Sequence, residues 1–209
     1  VRQALAAAFA TLPREEVRTI ADAVPHVCRE SVQTVEDEME VTQGKLSMGF
    51  SCGSDDMPAL LLGNTLFGGS SNSKLFLNVR EKLSLCYYAS SMYHRQKGII
   101  TVSSGIEFQN YQRAYDEILS QLAAVQNGEL EEWELAGARS TLLNSYATVG
   151  DSQGKLENFY LGQAATGRSE TPADLAQAVM EVSAERICRA MSTVKLDTVY
   201  FLKGKEAQA

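Results

Sequence analysis

The sequence is poor in the residues that build metal and redox sites. Its 209 residues include only two histidines, His26 and His94. The four cysteines are Cys28, Cys52, Cys86 and Cys188. They stand far apart, so the C-x-x-C pair of zinc knuckles and thioredoxin-type sites is absent. Their apolar or strand-forming neighbours favour small buried thiols, which weakly indicates a reducing compartment such as the cytoplasm.

The chain also lacks a basic cluster and a long apolar run. Its formal net charge is −7, and Lys and Arg are scattered along it, which argues against a nucleic-acid-binding protein. No apolar stretch approaches the roughly 20 residues that a membrane-spanning helix needs. With 44% hydrophobic and 22% charged residues, the composition is that of an ordinary globular domain.

The first half of the chain alternates between strand-like and helix-like patterns. Apolar residues at every second position from Leu46 to Cys52 predict a half-buried strand, the second of a pair within residues 31–52. Residues 54–56, Ser-Asp-Asp, are expected to cap an apolar helix over residues 57–67, and a second helix is expected over 74–82. Residues 85–93 and 99–105 predict a hairpin around the turn at Lys97 and Gly98.

The second half is mostly helical and ends in a strand. Helices are predicted over residues 110–126, 131–148, 156–165, 172–182 and 184–191, with a last strand over 197–202. This order predicts an α+β fold, a mostly antiparallel sheet with helices packed on one face. We expect one domain over residues 31–209, preceded over residues 1–30 by an N-terminal helical extension or inter-domain segment that contains two helices.

Three sequence segments resemble the insulinase/pitrilysin family of zinc metallopeptidases. They are QGKLSMGF at residues 43–50, LGNTLFGGSSNSKLF at residues 62–76 and NVREKLSLCY at residues 78–87. The resemblance extends with weaker matches over residues 31–204. It implies one of two homologous halves that form a clam-shaped chamber, of which one half carries the H-x-x-E-H zinc motif.

The zinc motif is absent from this chain. His26 is followed by Glu30 but by no second histidine, and His94 has no partner at helical spacing. The resemblance therefore implies the non-catalytic half, with no cofactor of its own and with zinc in a partner half. That zinc-bearing half would lie upstream in the same chain or in a separate subunit. We expect the isolated domain to be inactive, with no binding to nucleic acid or membrane.

Arg80 and Tyr87 match the arginine and tyrosine that the non-catalytic half contributes in the family. A guanidinium and a phenol can both donate hydrogen bonds to a developing oxyanion, so the resemblance implies that they bind and polarise a peptide substrate. Tyr88 competes with Tyr87, since adjacent strand residues face opposite sides. From the residues alone, the favoured interpretation is that Arg80 ends a solvated helix and that the tyrosines are ordinary strand aromatics.

Two further groups have plainer explanations. The glycine-rich residues 68–73 could offer amides to an anion, but a tight turn between helices is the favoured interpretation. Glu131, Glu132 and Glu134 could form a carboxylate pair, but first-turn acids of a helix explain them better. A scaffold or partner-binding subunit that has lost catalysis remains the alternative function.

Overall fold

The computed structural model describes residues 1–13 and 30–205. The strands are β1 Gln33–Met39, β2 Gly44–Cys52, β3 Cys86–His94, β4 Ile99–Ile106 and β5 Val194–Gly204. The helices are α1 Arg2–Ala10, α2 Met57–Phe67, α3 Tyr111–Gln126, α4 Glu132–Ala147, α5 Gln153–Ala165, α6 Pro172–Met180 and α7 Ala184–Met191. A π-helix covers Leu75–Lys82, and short 3₁₀ turns cover Phe108–Asn110 and Val149–Asp151. The helix expected after Pro13, together with His26 and Cys28, lies outside the described residues.

The five strands form one sheet in the order β1-β5-β2-β4-β3. All neighbours pair antiparallel except β1 and β5, which are parallel. The predicted hairpin is formed by β3 and β4. The prediction of a mostly antiparallel sheet in an α+β fold is thus confirmed.

The strand pair expected within residues 31–52 forms, but its two members are not neighbours, because β5 lies between them. All residues of β1 are exposed, which suits an edge strand. Its acidic side chains Glu36 and Glu38 pair with Lys203 of β5, at 3.1 and 3.2 Å. The C-terminal strand also begins earlier than predicted, at Val194.

One face of the sheet is covered by helices and the other is open. Leu46, Met48 and Phe50 of β2 point into the core, whereas Lys45 on the opposite face of the strand is exposed. Helix α2 is buried along most of its length, as its apolar sequence predicted. At Gly63 of this helix a Cβ would lie 2.5 Å from Cγ of Met191, so the missing side chain lets α7 approach closely.

A buried ion pair joins the start of the π-helix to the start of α4. Nζ of Lys74 donates to both carboxylate oxygens of Glu134, each at 3.0 Å, and both side chains are almost excluded from water. Glu134 also accepts a hydrogen bond from the backbone N–H of Glu131. Glu134 lies in the first turn of α4, as predicted, but its pairing with Lys74, 60 positions away, could not be predicted from local sequence.

Replacement of Lys74 by Met should lower the stability to unfolding by about 3–5 kcal/mol, because it leaves a buried carboxylate without a counter-charge. Adding Glu134→Gln should recover part of the loss, since the amide carries no charge and can still accept from Glu131. Urea unfolding followed by circular dichroism measures both effects. Lys82→Met, at an exposed position of the same π-helix, is the control. An equal loss of unfolding free energy in Lys74→Met and Lys82→Met would contradict the stabilising role of the buried ion pair.

A second ion pair links α2 to α7. Arg186 donates to Oδ2 and Oδ1 of Asp56 at 2.6 and 3.0 Å, and Asp56 also caps α2 by accepting from Ala59 N–H. Burial is the strongest single influence on Asp56 and raises its pKa. The bonds from Arg186 and Ala59 nevertheless hold the pKa below its ordinary value of 3.8.

The Asp56 carboxylate should therefore stabilise the fold in a pH-dependent way. Because its folded-state pKa lies below 3.8, this contribution is complete above that pH and is lost as the pH falls through the folded-state pKa. The difference in Tm between the unmodified chain and Asp56→Asn should be present at neutral pH and shrink in acid. Asp55→Asn, at an exposed neighbouring position, is the control, and its Tm difference from the unmodified chain should not shrink in acid.

Candidate functional site

The π-helix positions Arg80 at the surface. Its buried residues Leu75 and Val79 anchor it to the core. On its outer side, Cζ of Arg80 lies 4.7 Å from the centroid of the Phe76 ring, a cation–π contact that supports the guanidinium. The only ion pair recorded for Arg80 within the described residues is with Glu81, at 3.4 Å and largely exposed, so it binds the guanidinium weakly.

A tight turn connects the π-helix to β3. Ser84 adopts a left-handed conformation with φ of 49°, which is uncommon for a residue other than glycine. Its N–H donates to the Arg80 carbonyl at 3.1 Å, and Leu85 N–H donates to the Val79 carbonyl at 3.0 Å. The turn thus folds the start of β3 back against the end of the π-helix.

A β-bulge at the start of β3 separates the two tyrosines. Cys86 is opposite Ile106 and Tyr88 is opposite Gly105, so Tyr87 is the extra residue without a partner in the β4 register. Such bulges redirect side chains near functional sites. Tyr87 is 59% exposed and Tyr88 is 42% exposed, so neither phenol is sealed in the interior.

Arg80 and Tyr87 border the same cavity, here called the Arg–Tyr cavity. It has a volume of about 390 Å³, and its lining includes Arg80, Glu81, Cys86, Tyr87, Glu107 and Asn110. Burial raises the pKa of the Cys86 thiol, and the charge of Arg80 only partly offsets this, so the thiol is no ready nucleophile. The structure therefore brings the two predicted residues together among mostly polar neighbours.

Tyr88 borders a different and larger cavity, here called the edge cavity. This cavity of about 630 Å³ lies between residues 68–71, Arg80 and the outer part of β3. Its walls include Phe76, Tyr88, Met92 and Thr101. Arg80 thus borders both cavities, while each of the two adjacent tyrosines borders one of them.

The glycine-rich segment acts as a helix cap. The N–H groups of Gly68 and Gly69 both donate to the Asn64 carbonyl at 2.9 Å. Ser91 N–H donates to the Gly68 carbonyl, also at 2.9 Å, and so ties the segment to β3. These amides are already bonded within the protein, which favours the turn over an anion site.

No metal site is formed by the parts of the chain that the structure describes. Across residues 1–13 and 30–205, no three His, Cys, Asp or Glu side chains are grouped closely enough to hold a metal ion. His94 instead bonds Thr101 Oγ1 through Nε2 at 2.9 Å. Among the same residues, no helix is long and apolar enough to cross a membrane.

The described residues form an α+β domain with one mostly antiparallel sheet, and the sequence carries no H-x-x-E-H motif. Residues 2–142 match the sequence profile of the family described as Peptidase M16 inactive domain. The chain belongs to this family. The resemblance inferred from the sequence, and the non-catalytic character that it implied, are thereby confirmed.

The chain spans about half the length of each of three similar proteins. It is 39% identical over 199 residues to the probable inactive metalloprotease YmfF of Bacillus subtilis (strain 168), covering 92% of this chain and 47% of the relative. A conserved protein from Enterococcus faecalis V583 is similar over 100% of this chain and 51% of its own, with a TM-score of 0.86 at 27% identity. A peptidase M16 inactive domain from Pseudomonas fluorescens shares the fold, with a TM-score of 0.80 at 18% identity, over 100% of this chain and 52% of its own.

Gly105 makes room for Tyr88. A Cβ built on Gly105 would lie 2.5 Å from Cε1 of the Tyr88 ring. Gly105→Ala should therefore displace the ring and cost about 1–3 kcal/mol of stability, as overpacking does. Chemical denaturation and a crystal structure of the variant measure the two effects. Gly49→Ala on β2 is the control, because a Cβ there meets only Thr198 at 3.8 Å, an ordinary contact. A Tyr88 ring that stays in place in Gly105→Ala would refute the packing argument.

Proposed function

We propose that this domain is the substrate-holding half of a two-part zinc metallopeptidase. Arg80 and Tyr87 would donate hydrogen bonds to the carbonyl oxygen of a peptide that is attacked at a zinc site on a partner half. The observation that carries the proposal is that both side chains border one solvent-accessible cavity, the Arg–Tyr cavity. Donors aimed at a developing oxyanion stabilise it most when they are held in place before the reaction.

Three features of the site support this role. The cation–π contact with Phe76 restrains the Arg80 guanidinium without neutralising its charge. The bulge gives Tyr87 an outward position free of a cross-strand partner. The family contains inactive domains, and this sequence has no H-x-x-E-H of its own, so the attacking group must come from elsewhere.

The partner is proposed to be a homologous zinc-bearing half. The chain spans about half the length of the relatives that it matches, which leaves room in such proteins for a second half. That zinc-bearing half would lie either upstream in the same chain or in a separate subunit. The substrate would be a peptide, and residues 1–30 would form the inter-domain segment.

Loss of either donor should slow peptide cleavage by the assembled peptidase. Arg80→Ala and Tyr87→Phe should each lower kcat by about 10²–10³, the usual cost of one oxyanion donor. The assay isolates the full-length protein with its zinc-bearing partner and follows cleavage of a quenched fluorescent peptide. Arg113→Ala and Tyr160→Phe, which alter exposed residues on α3 and α5, should leave kcat unchanged.

A catalytically dead scaffold is the second candidate, favoured by the description of the Bacillus subtilis relative as a probable inactive metalloprotease. Turnover that is unchanged in the Arg80→Ala complex would support the scaffold and contradict the substrate-holding role. Absence of any chelator-sensitive cleavage by the assembled complex would do the same.

A further inference from the structure

We propose that the contact between the tip of the β3–β4 hairpin and α5 is a binding site for a phosphate group of a small molecule. This site, here called the hairpin–α5 site, is formed by Tyr93, Arg95, Gln96, Tyr146 and Arg168. None of these residues borders the edge cavity or the Arg–Tyr cavity. The inference is therefore independent of the proposed function.

Two half-buried tyrosines lie at the base of the hairpin–α5 site. Tyr93 precedes His94 on β3, and His94 borders the edge cavity, so Tyr93 projects from the opposite, helix-covered face of the sheet. There Tyr93 packs against the core, as does Tyr146 of α4. Beyond His94 the N–H groups of Lys97 and Gly98 both donate to the His94 carbonyl, at 2.9 and 3.0 Å. This turn forms the tip of the hairpin.

The hairpin tip lies against α5 at a glycine. A Cβ built on Gly162 would lie 3.4 Å from Nη2 of Arg95 and 3.7 Å from Nε2 of Gln96. The guanidinium and the amide are thus placed beside the backbone of α5. The backbone N–H of Arg168 donates to the Gln163 carbonyl at 2.8 Å, which fixes the start of the loop after α5. The hairpin, α5 and this loop therefore bring their polar side chains to one place.

The hairpin–α5 site has hydrogen-bond donors that the protein does not use. Among the residues that the structure describes, half-buried Arg95 has no hydrogen bond or ion pair, and neither the Tyr93 nor the Tyr146 phenol has a hydrogen-bond partner. Burial raises the pKa of Tyr93 to about 12 and also raises the pKa of Tyr146, so both phenols stay protonated at neutral pH. The charge of Arg95 acts against both shifts, because its guanidinium lies near both phenols.

Glu170 is the carboxylate that the two arginines share. Its Oε1 lies 3.4 Å from Nη1 of Arg168, and its other oxygen accepts from a neighbouring backbone N–H at 3.2 Å. A hydrogen bond to its own backbone does most to lower the pKa of Glu170, and the charges of Arg168 and Arg95 lower it further. Asp55 acts on Tyr93 more weakly than either arginine does. Two guanidiniums thus face one close carboxylate, which leaves a positive site in a chain of net charge −7.

A phosphate group matches this set of donors. Guanidinium groups bind phosphate through paired N–H···O bonds, and such charge-assisted bonds are stronger than neutral ones. The two phenols and the Gln96 amide can donate to the oxygens that the arginines leave free. A carboxylate offers only two oxygens, whereas a terminal phosphate offers three and carries a charge of about −1.5 to −2 at neutral pH. The excess of donors and of positive charge therefore favours phosphate over a carboxylate.

Calorimetric titration of the full-length protein with inorganic phosphate tests the inference. Phosphate should bind about 10-fold more tightly than acetate, and Arg95→Gln should weaken phosphate binding about 10-fold because it removes the unpaired guanidinium. Glu170→Gln should strengthen binding about 3-fold, since it removes the competing carboxylate. Arg113→Gln, which removes the same charge from an exposed position on α3, is the control and should leave the Kd unchanged. Phosphate should also raise the Tm of the unmodified chain and not that of Arg95→Gln.

Pyrophosphate identifies the source of the phosphate group. Tighter binding of pyrophosphate than of phosphate would indicate the end of a polyphosphate chain, and equal affinities would indicate free phosphate. Absence of phosphate and pyrophosphate binding at about 10 mM would overturn the inference. Equal affinity for acetate, or an equal loss of affinity in Arg113→Gln and Arg95→Gln, would show attraction to charge without a site and would also overturn it. None of these measurements involves peptide cleavage, so the proposed function stands or falls separately.

Discussion

The buried ion pair between Lys74 and Glu134 fixes the element on which the candidate site depends. It joins the first turn of the π-helix to the first turn of α4 with two 3.0 Å hydrogen bonds from which water is nearly excluded. Phe76 follows Lys74 by two residues, and Arg80 lies over Phe76. A charge pair in this setting tolerates little movement, because separation would leave two charges with neither water nor partner. The buried pair therefore restrains the first turn of the π-helix, and through Phe76 it restrains the position of Arg80.

Arg80 occupies the boundary between two chemically different cavities. The Arg–Tyr cavity has mostly polar neighbours, including Glu107 and Asn110, whereas the edge cavity adds the apolar walls of Phe76 and Met92. The Arg80 guanidinium can donate to a ligand oxygen in the Arg–Tyr cavity, while the Phe76 ring beneath it borders the edge cavity.

Local patterns in the sequence carried the prediction of most elements. Alternation at Leu46, Met48 and Phe50 predicted β2, and the apolar run before Gly68 predicted the buried helix α2, since each pattern reflects which face is buried. The placement of β5 between β1 and β2 was missed, because strand order depends on contacts between residues more than 150 positions apart, such as Val35 and Tyr200.

The sequence by itself determined that this chain has no H-x-x-E-H, that it forms an α+β domain, and that Arg80 and Tyr87 stand seven residues apart. These properties follow from residue identity and local spacing. Only the tertiary structure decided that Tyr87 borders the Arg–Tyr cavity and Tyr88 the edge cavity. That outcome depends on the bulge at Tyr87 and on the space above Gly105, and both arise from the register between β3 and β4. Register is a property of two strands packed together, so no single segment contains it.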